Sequence, residues 1–128
     1  MRTGNRPMNP LDEFFGDRAR RFETLPALQY RPRYRTLHWS FTDLARQTNE
    51  LTEALSAAGT GPGDRVLLQA GNSPYWVAAF FAVARCGGVL VPANPRIPET
   101  QLRRVIHDAK PRLILRSRLC MAGASGFP

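Results

Sequence analysis

Apolar positions along this chain follow three spacings in turn, and each predicts an element. Over Phe41–Ala58 they recur on one helical face: Phe41, Leu44, Ala45, Thr48, Leu51, Leu55 and Ala58, with Asp43, Arg46, Gln47, Glu50 and Glu53 elsewhere. Over Asp64–Ala70 they run almost without a break, the mark of a strand buried on both faces of a parallel sheet. Over Pro74–Arg85 they surround the helix, which therefore needs cover on more than one side. Short apolar runs return at Val89–Val91 and at Arg112–Leu115, and both read as strands. Between them Pro98 opens a helix with Leu102, Val105, Ile106 and Ala109 on one face.

Punctuation residues set the boundaries. Ser40 precedes Phe41 with Asp43 three positions on, a capping box with aspartate in place of glutamate. Gly59 stops that helix by taking the left-handed conformation after its C-cap. Ser73 caps the apolar helix, Pro74 takes its first position, and Gly87 with Gly88 stops it. Pro92 closes the strand that starts at Val89. Upstream, a short strand is expected near Thr36–Trp39, and Leu11, Phe14, Phe15, Ala19 and Phe22 predict a helix over Pro10–Phe22. Alternating strands and helices with short connections imply right-handed crossovers, so the expected fold class is α/β: a partial doubly wound parallel sheet in the order βαβαβαβ.

Composition places the chain among globular proteins: 128 residues, 43% hydrophobic and 22% charged. The net charge of +8 is uneven. Residues 1–40 carry eight arginines against four acids, residues 41–102 four against five, and residues 103–128 six basic residues against one acid. Basic ends attract nucleic acid or anionic membrane, but no nucleic-acid-binding signature accompanies them. Cys86 and Cys120 stand far apart with no zinc spacing, and a reducing cytosol accounts for them more simply than a disulfide. The N-terminus has no apolar signal region, and the longest apolar run, Tyr75–Ala84, falls well short of the roughly 20 residues that span a bilayer. The expected location is cytoplasmic.

Several segments invite a chemical reading and fail it. The loop Gly59–Gly63 is glycine-rich but runs from a helix into a strand, the wrong end of the helix dipole for a phosphate. Gly71, Asn72, Ser73, Pro74 and Tyr75 occupy the strand-turn-helix position of a G-x-S-x-G nucleophile elbow, but Tyr75 replaces the second glycine, and Ser73 is better explained as a cap. The same turn opens amides at the end of a parallel strand, by itself a weak anion signal. A phosphoryl-receiver site needs an acid at the end of the central strand, where Gln69 and Ala70 stand instead. His38 and His107 have no partner at a catalytic spacing, and Trp39, Trp76, Phe80 and Phe81 read as core.

Taken together, the segments resemble the start of an adenylate-forming enzyme, the AMP-dependent synthetase and ligase group that includes acyl-CoA synthetases. Trp39–Leu44 resembles its early strand-to-helix motif. Gly61, Pro62, Gly63, Asp64, Arg65 and Val66 resemble its G-x-x-x-GDRV turn. Asn72, Ser73 and Pro74 resemble its N-S-x-E/D segment, and Arg85–Pro95 its K/R-x-G-A-x-x-V-P-x-N-P motif. Ile97 departs from the family, which has a Thr or Ser cap there. The likeness divides the chain into an N-terminal segment, 1–24, partly helical or disordered; a truncated AMP-binding-type subdomain, 25–116; and a disordered tail, 117–128. Ser125–Pro128 resembles part of the family's phosphate loop without its lysine, a match ascribed to chance.

The resemblance implies adenylation of a carboxylic acid by ATP with magnesium, then transfer to a thiol such as coenzyme A. It implies fatty-acid-type acyl substrates as the nearest subgroup. The family's phosphate loop, magnesium-binding pair and catalytic lysine match no residue here, so no catalytic, cofactor-binding or metal residue is assigned, and none of these cofactors is expected on this chain alone. The reading is a truncated N-terminal portion, inactive alone. Two alternatives stay open: a non-enzymatic basic module for nucleic acid or anionic membrane, and an interaction subunit completed by another chain.

Overall fold

The computed structural model describes residues 9–117. Met8, Cys120 and the tail Gly123–Pro128 lie outside the described residues.

The chain order is α1 (Pro10–Arg21), β1 (Pro26–Tyr30), β2 (Leu37–Ser40), α2 (Phe41–Ala57), β3 (Arg65–Gln69), α3 (Pro74–Arg85), β4 (Val89–Ala93), α4 (Glu99–Ala109) and β5 (Leu113–Arg116). β3 is the centre of a parallel sheet in the order β4-β3-β5. Its register places Val66 beside Leu90 and Leu113, Leu67 beside Val91 and Ile114, and Gln69 beside Ala93 and Arg116. Val66 and Leu67 are wholly buried, as a continuous apolar strand at the middle of a sheet requires.

The capping signals act as the sequence predicts. Ser40 Oγ accepts from the Asp43 amide at 3.1 Å, and the Asp43 carboxylate accepts from the Ser40 amide at 2.9 Å. Those Ser40 hydrogen bonds, the backbone one foremost, hold the Asp43 carboxyl below its ordinary value of 3.8. Ser73 Oγ accepts from the Trp76 amide at 3.3 Å and starts α3. Gly59 takes φ +89° just past the end of α2.

The apolar helix α3 finds its cover on three sides. Ala82, Val83 and Cys86 pack with Leu55 of α2 and Val66 of the sheet. Ala78 packs with Leu44 of α2 and Phe15 of α1, and Phe15 stacks on Phe81 at 4.3 Å. Arg85 ties the three helices together: its Nε donates to Asp12 of α1 at 2.8 Å, and its guanidinium also reaches Asn49 of α2. Asn9 caps α1 and donates to the Ala84 carbonyl at 2.9 Å.

Two expectations change. The strand expected near Thr36–Trp39 exists as β2 but does not join the parallel sheet. It pairs antiparallel with β1, a strand the aperiodic sequence before it concealed, and the two form a separate ribbon. Pro92 does not close β4 but lies inside it, opposite Leu68. Proline is tolerated there because β4 is an edge strand, with an outer side that needs no amide donor.

Candidate functional site at the carboxyl edge of the sheet

From β3 the chain crosses to β4 on one side, and from β4 it crosses back over to β5 on the other. Right-handed crossovers then put α3 and α4 on opposite faces of the sheet. The loops leaving β3 and β4 part company at their carboxyl ends, and a crevice opens between them, the position where open α/β sheets bind ligands. Its volume is about 400 Å³. Ala70, Gly71, Asn72 and Trp76 form one wall, and Pro92–Pro95 the other.

Next to this crevice the strand ends are joined by Gln69, which the sequence marks only as a residue standing where a receiver site would need an acid. Gln69 is 2% exposed. Its Oε1 accepts from Arg116 Nε at 2.7 Å, its Nε2 donates to the Asn94 carbonyl at 3.5 Å, and its own carbonyl accepts from the Ser117 amide at 3.1 Å. One side chain and its backbone thus join the ends of β3, β5 and the loop after β4. Asn94 shapes that loop in turn: its Oδ1 accepts from the Arg96 amide at 2.8 Å, and its carbonyl from the Ile97 amide at 3.0 Å. A polar residue ending an apolar strand was the only signal; its partner lies 47 positions away.

Trp76, read as core, is only partly buried and faces the crevice, whereas Ser73, the two histidines and the Gly59–Gly63 loop stay where the plain reading put them. Ser73 is committed to its cap. His38 and His107 are both exposed and lie on different elements, His107 beside Asp108 at 3.3 Å. Cys86 is buried, with Sγ 3.7 Å from Ser56 Oγ. Gly61 accepts no phosphate role: its amide donates to Asp64 Oδ2 at 2.8 Å, closing the turn into β3.

The crevice walls offer amides, carbonyls and an indole, but no carboxylate, imidazole or amine. Magnesium prefers carboxylate and phosphate oxygens. Among the described residues no three His, Cys, Asp or Glu side chains cluster as a metal would need. The residues present therefore do not fit a magnesium ion.

This is a doubly wound α/β subdomain with a crevice at its switch point. The chain belongs to the AMP-binding enzyme family, whose model matches residues 15–125. Over 88 residues it is 35% identical to 2-succinylbenzoate–CoA ligase of Salmonella typhimurium, a match that covers 69% of this chain and 18% of the ligase. It is 35% identical over 75 residues to the fatty acid–[acyl-carrier-protein] ligase ScoC of Streptomyces coeruleorubidus, covering 59% of this chain and 14% of that enzyme. The crystal structure of IdnL1 superposes with a TM-score of 0.84 at 28% identity, over 98% of this chain and 25% of the other. The chain thus spans less than a fifth of the length of these curated relatives. The resemblance read from the motifs holds, and these matches favour it over a basic binding module as the identity of the whole chain. Among the described residues no helix is long and apolar enough to cross a membrane.

Proposed function

We propose that these residues form a structural part of an acid-activating ligase: one wall of the site where a carboxylic acid is joined to AMP and then passed to a thiol. The observation that carries this reading is the family match over residues 15–125 together with the crevice at the carboxyl edge of β3 and β4. The printed activities of the relatives, joining acids to coenzyme A or to a carrier protein, support a carboxylic acid as the substrate class. On this reading the chain's own contribution is to position. Gln69 ties the ends of β3 and β5 to the loop after β4, Asn94 shapes that loop, and the capped start of α3 sets the opposite wall. Catalytic work of this kind depends on charged groups placed in advance. The crevice walls described above supply none, so the groups that activate ATP come from further polypeptide, in the same protein or in another chain. We place the reaction in the cytoplasm.

The test is turnover by the 128-residue polypeptide. Given ATP, magnesium, a panel of fatty and aromatic acids and coenzyme A, it is expected to release no AMP above the enzyme-free blank. Sustained AMP release by the purified chain would overturn the assignment of a purely positioning role.

A further inference from the structure

The tip of the β1–β2 hairpin carries charge that nothing in the described structure uses. Between Glu23 and Asp43 the sequence contains no acid, yet Arg31, Arg33 and Arg35 fall within five residues of each other. All three are exposed, and no described partner engages them. Three like charges on one exposed turn, with no acid near them in sequence, create a local positive potential that water and salt screen only in part and that attracts an anionic surface.

The turn also presents an aromatic ring. The Arg35 amide donates to the Pro32 carbonyl at 3.2 Å, and Arg33 sits in the left-handed region at φ +53°, uncommon for a residue with a side chain. Held on this turn, Tyr34 is 98% exposed, the most open of the large apolar side chains among the described residues. Behind it Leu37 is 43% exposed. The body of the ribbon is anchored: Trp39 meets Tyr75 edge-on at 5.0 Å, and Leu28 and Trp39 pack against the cluster around Phe15, Leu44 and Ala78.

We infer that this tip is a docking point for an anionic membrane surface, with the three arginines meeting lipid phosphates and Tyr34 entering the headgroup layer. Shape decides between membrane and nucleic acid. Strand-binding proteins use a basic groove with several stacking aromatics along it. Here a single ring and three cations stand on one convex apex with an apolar shoulder, which fits a plane. Arginine and tyrosine both suit that boundary, with an apolar body and a polar end. The inference goes beyond the ligase reading and does not depend on it. The two meet in one place: Leu28, Gln29 and Tyr30 share a groove with Asn72, Ser73 and Pro74, so the hairpin stands beside the turn that walls the crevice.

The test is co-sedimentation of the full 128-residue chain with vesicles at low salt. Binding is expected to equimolar phosphatidylglycerol and phosphatidylcholine, and not to phosphatidylcholine alone. At an anionic surface each arginine is worth about fivefold, so Arg31→Gln, Arg33→Gln and Arg35→Gln together should weaken binding about a hundredfold. A control removing the same charge elsewhere, at the exposed Arg20, Arg96 and Arg104, should cost far less. Tyr34→Ser should weaken binding while leaving its salt dependence intact. Equal losses in both triple variants would overturn the inference, as would absence of vesicle binding. So would tighter binding to single-stranded oligothymidylate that depends on the same three arginines. AMP release plays no part in these readouts, so their failure and that of the ligase reading are distinguishable.

Discussion

Arg116 Nε donates to Gln69 Oε1 at 2.7 Å, and with the Ser117 amide bond to the Gln69 carbonyl it joins the carboxyl ends of β3 and β5. Gln69 is almost wholly buried and Arg116 half-buried. Hydrogen bonds that involve a charged group contribute about 1.5–3 kcal/mol, and losing one partner leaves the other poorly solvated. Gln69→Leu is therefore expected to destabilise the chain by about 2 kcal/mol, seen as a lower urea midpoint with an unchanged slope. Unchanged stability would mean that Arg116 finds equal compensation elsewhere.

The capping box at the start of α2 has an energetic and a pH signature. Ser40→Ala is expected to cost about 1 kcal/mol, because the Asp43 amide loses its acceptor. The Asp43 carboxyl is held below 3.8 in the folded chain. Its contribution is therefore fully present above its unfolded value and is lost as pH falls through the lowered folded value. Asp43→Asn should flatten the loss of stability below pH 3.8 relative to the parent chain, measured by thermal melts across that window. Parallel acid limbs in the two proteins would rule out this linkage.

Two glycines respond oppositely to alanine. A Cβ on Gly88 would lie 3.0 Å from the Asp64 carbonyl oxygen and 3.1 Å from Val83 Cγ1, where α3 turns onto the sheet. Overpacking of this kind costs about 1–3 kcal/mol. A Cβ on Gly71 meets nothing within 4 Å, and its φ lies outside the left-handed range. Gly71→Ala should be neutral or stabilising by up to about 1 kcal/mol, since alanine narrows the unfolded ensemble. Chemical denaturation of both variants checks the contrast.

At the end of α4, Lys110 takes the left-handed conformation at φ 48°. Glycine adopts that geometry without the steric cost, so Lys110→Gly is expected to raise stability by about 1 kcal/mol. A lower melting temperature in the variant would indicate that the lysine side chain contributes more than its backbone strain costs.

Much of the fold was legible because its signals are local. The α2 capping box, the Ser73-Pro74 start of α3 and the unbroken apolar run of β3 each depend on residues within a few positions of one another, and each appears as read. The family motifs are legible for the same reason: they sit on these turns. What stayed hidden were pairings across sequence distance. β1 has no periodicity of its own and becomes a strand only because β2 pairs with it. The polar link between the strand ends was missed because Gln69 looks like an ordinary strand end until Arg116 is beside it.

By itself, then, the sequence determined where the helices begin and stop and where the central strand β3 runs, since caps, glycine stops and apolar spacing act within one or two turns of chain. The tertiary structure alone decided which strands are neighbours, that Pro92 is harmless on an open edge, that the ribbon stands apart from the sheet, and that Gln69 and Arg116 share a bond. Those outcomes depend on contacts between residues tens of positions apart, selected by the burial of Val66, Leu67 and the α3 helix as a whole and not by any single stretch of chain.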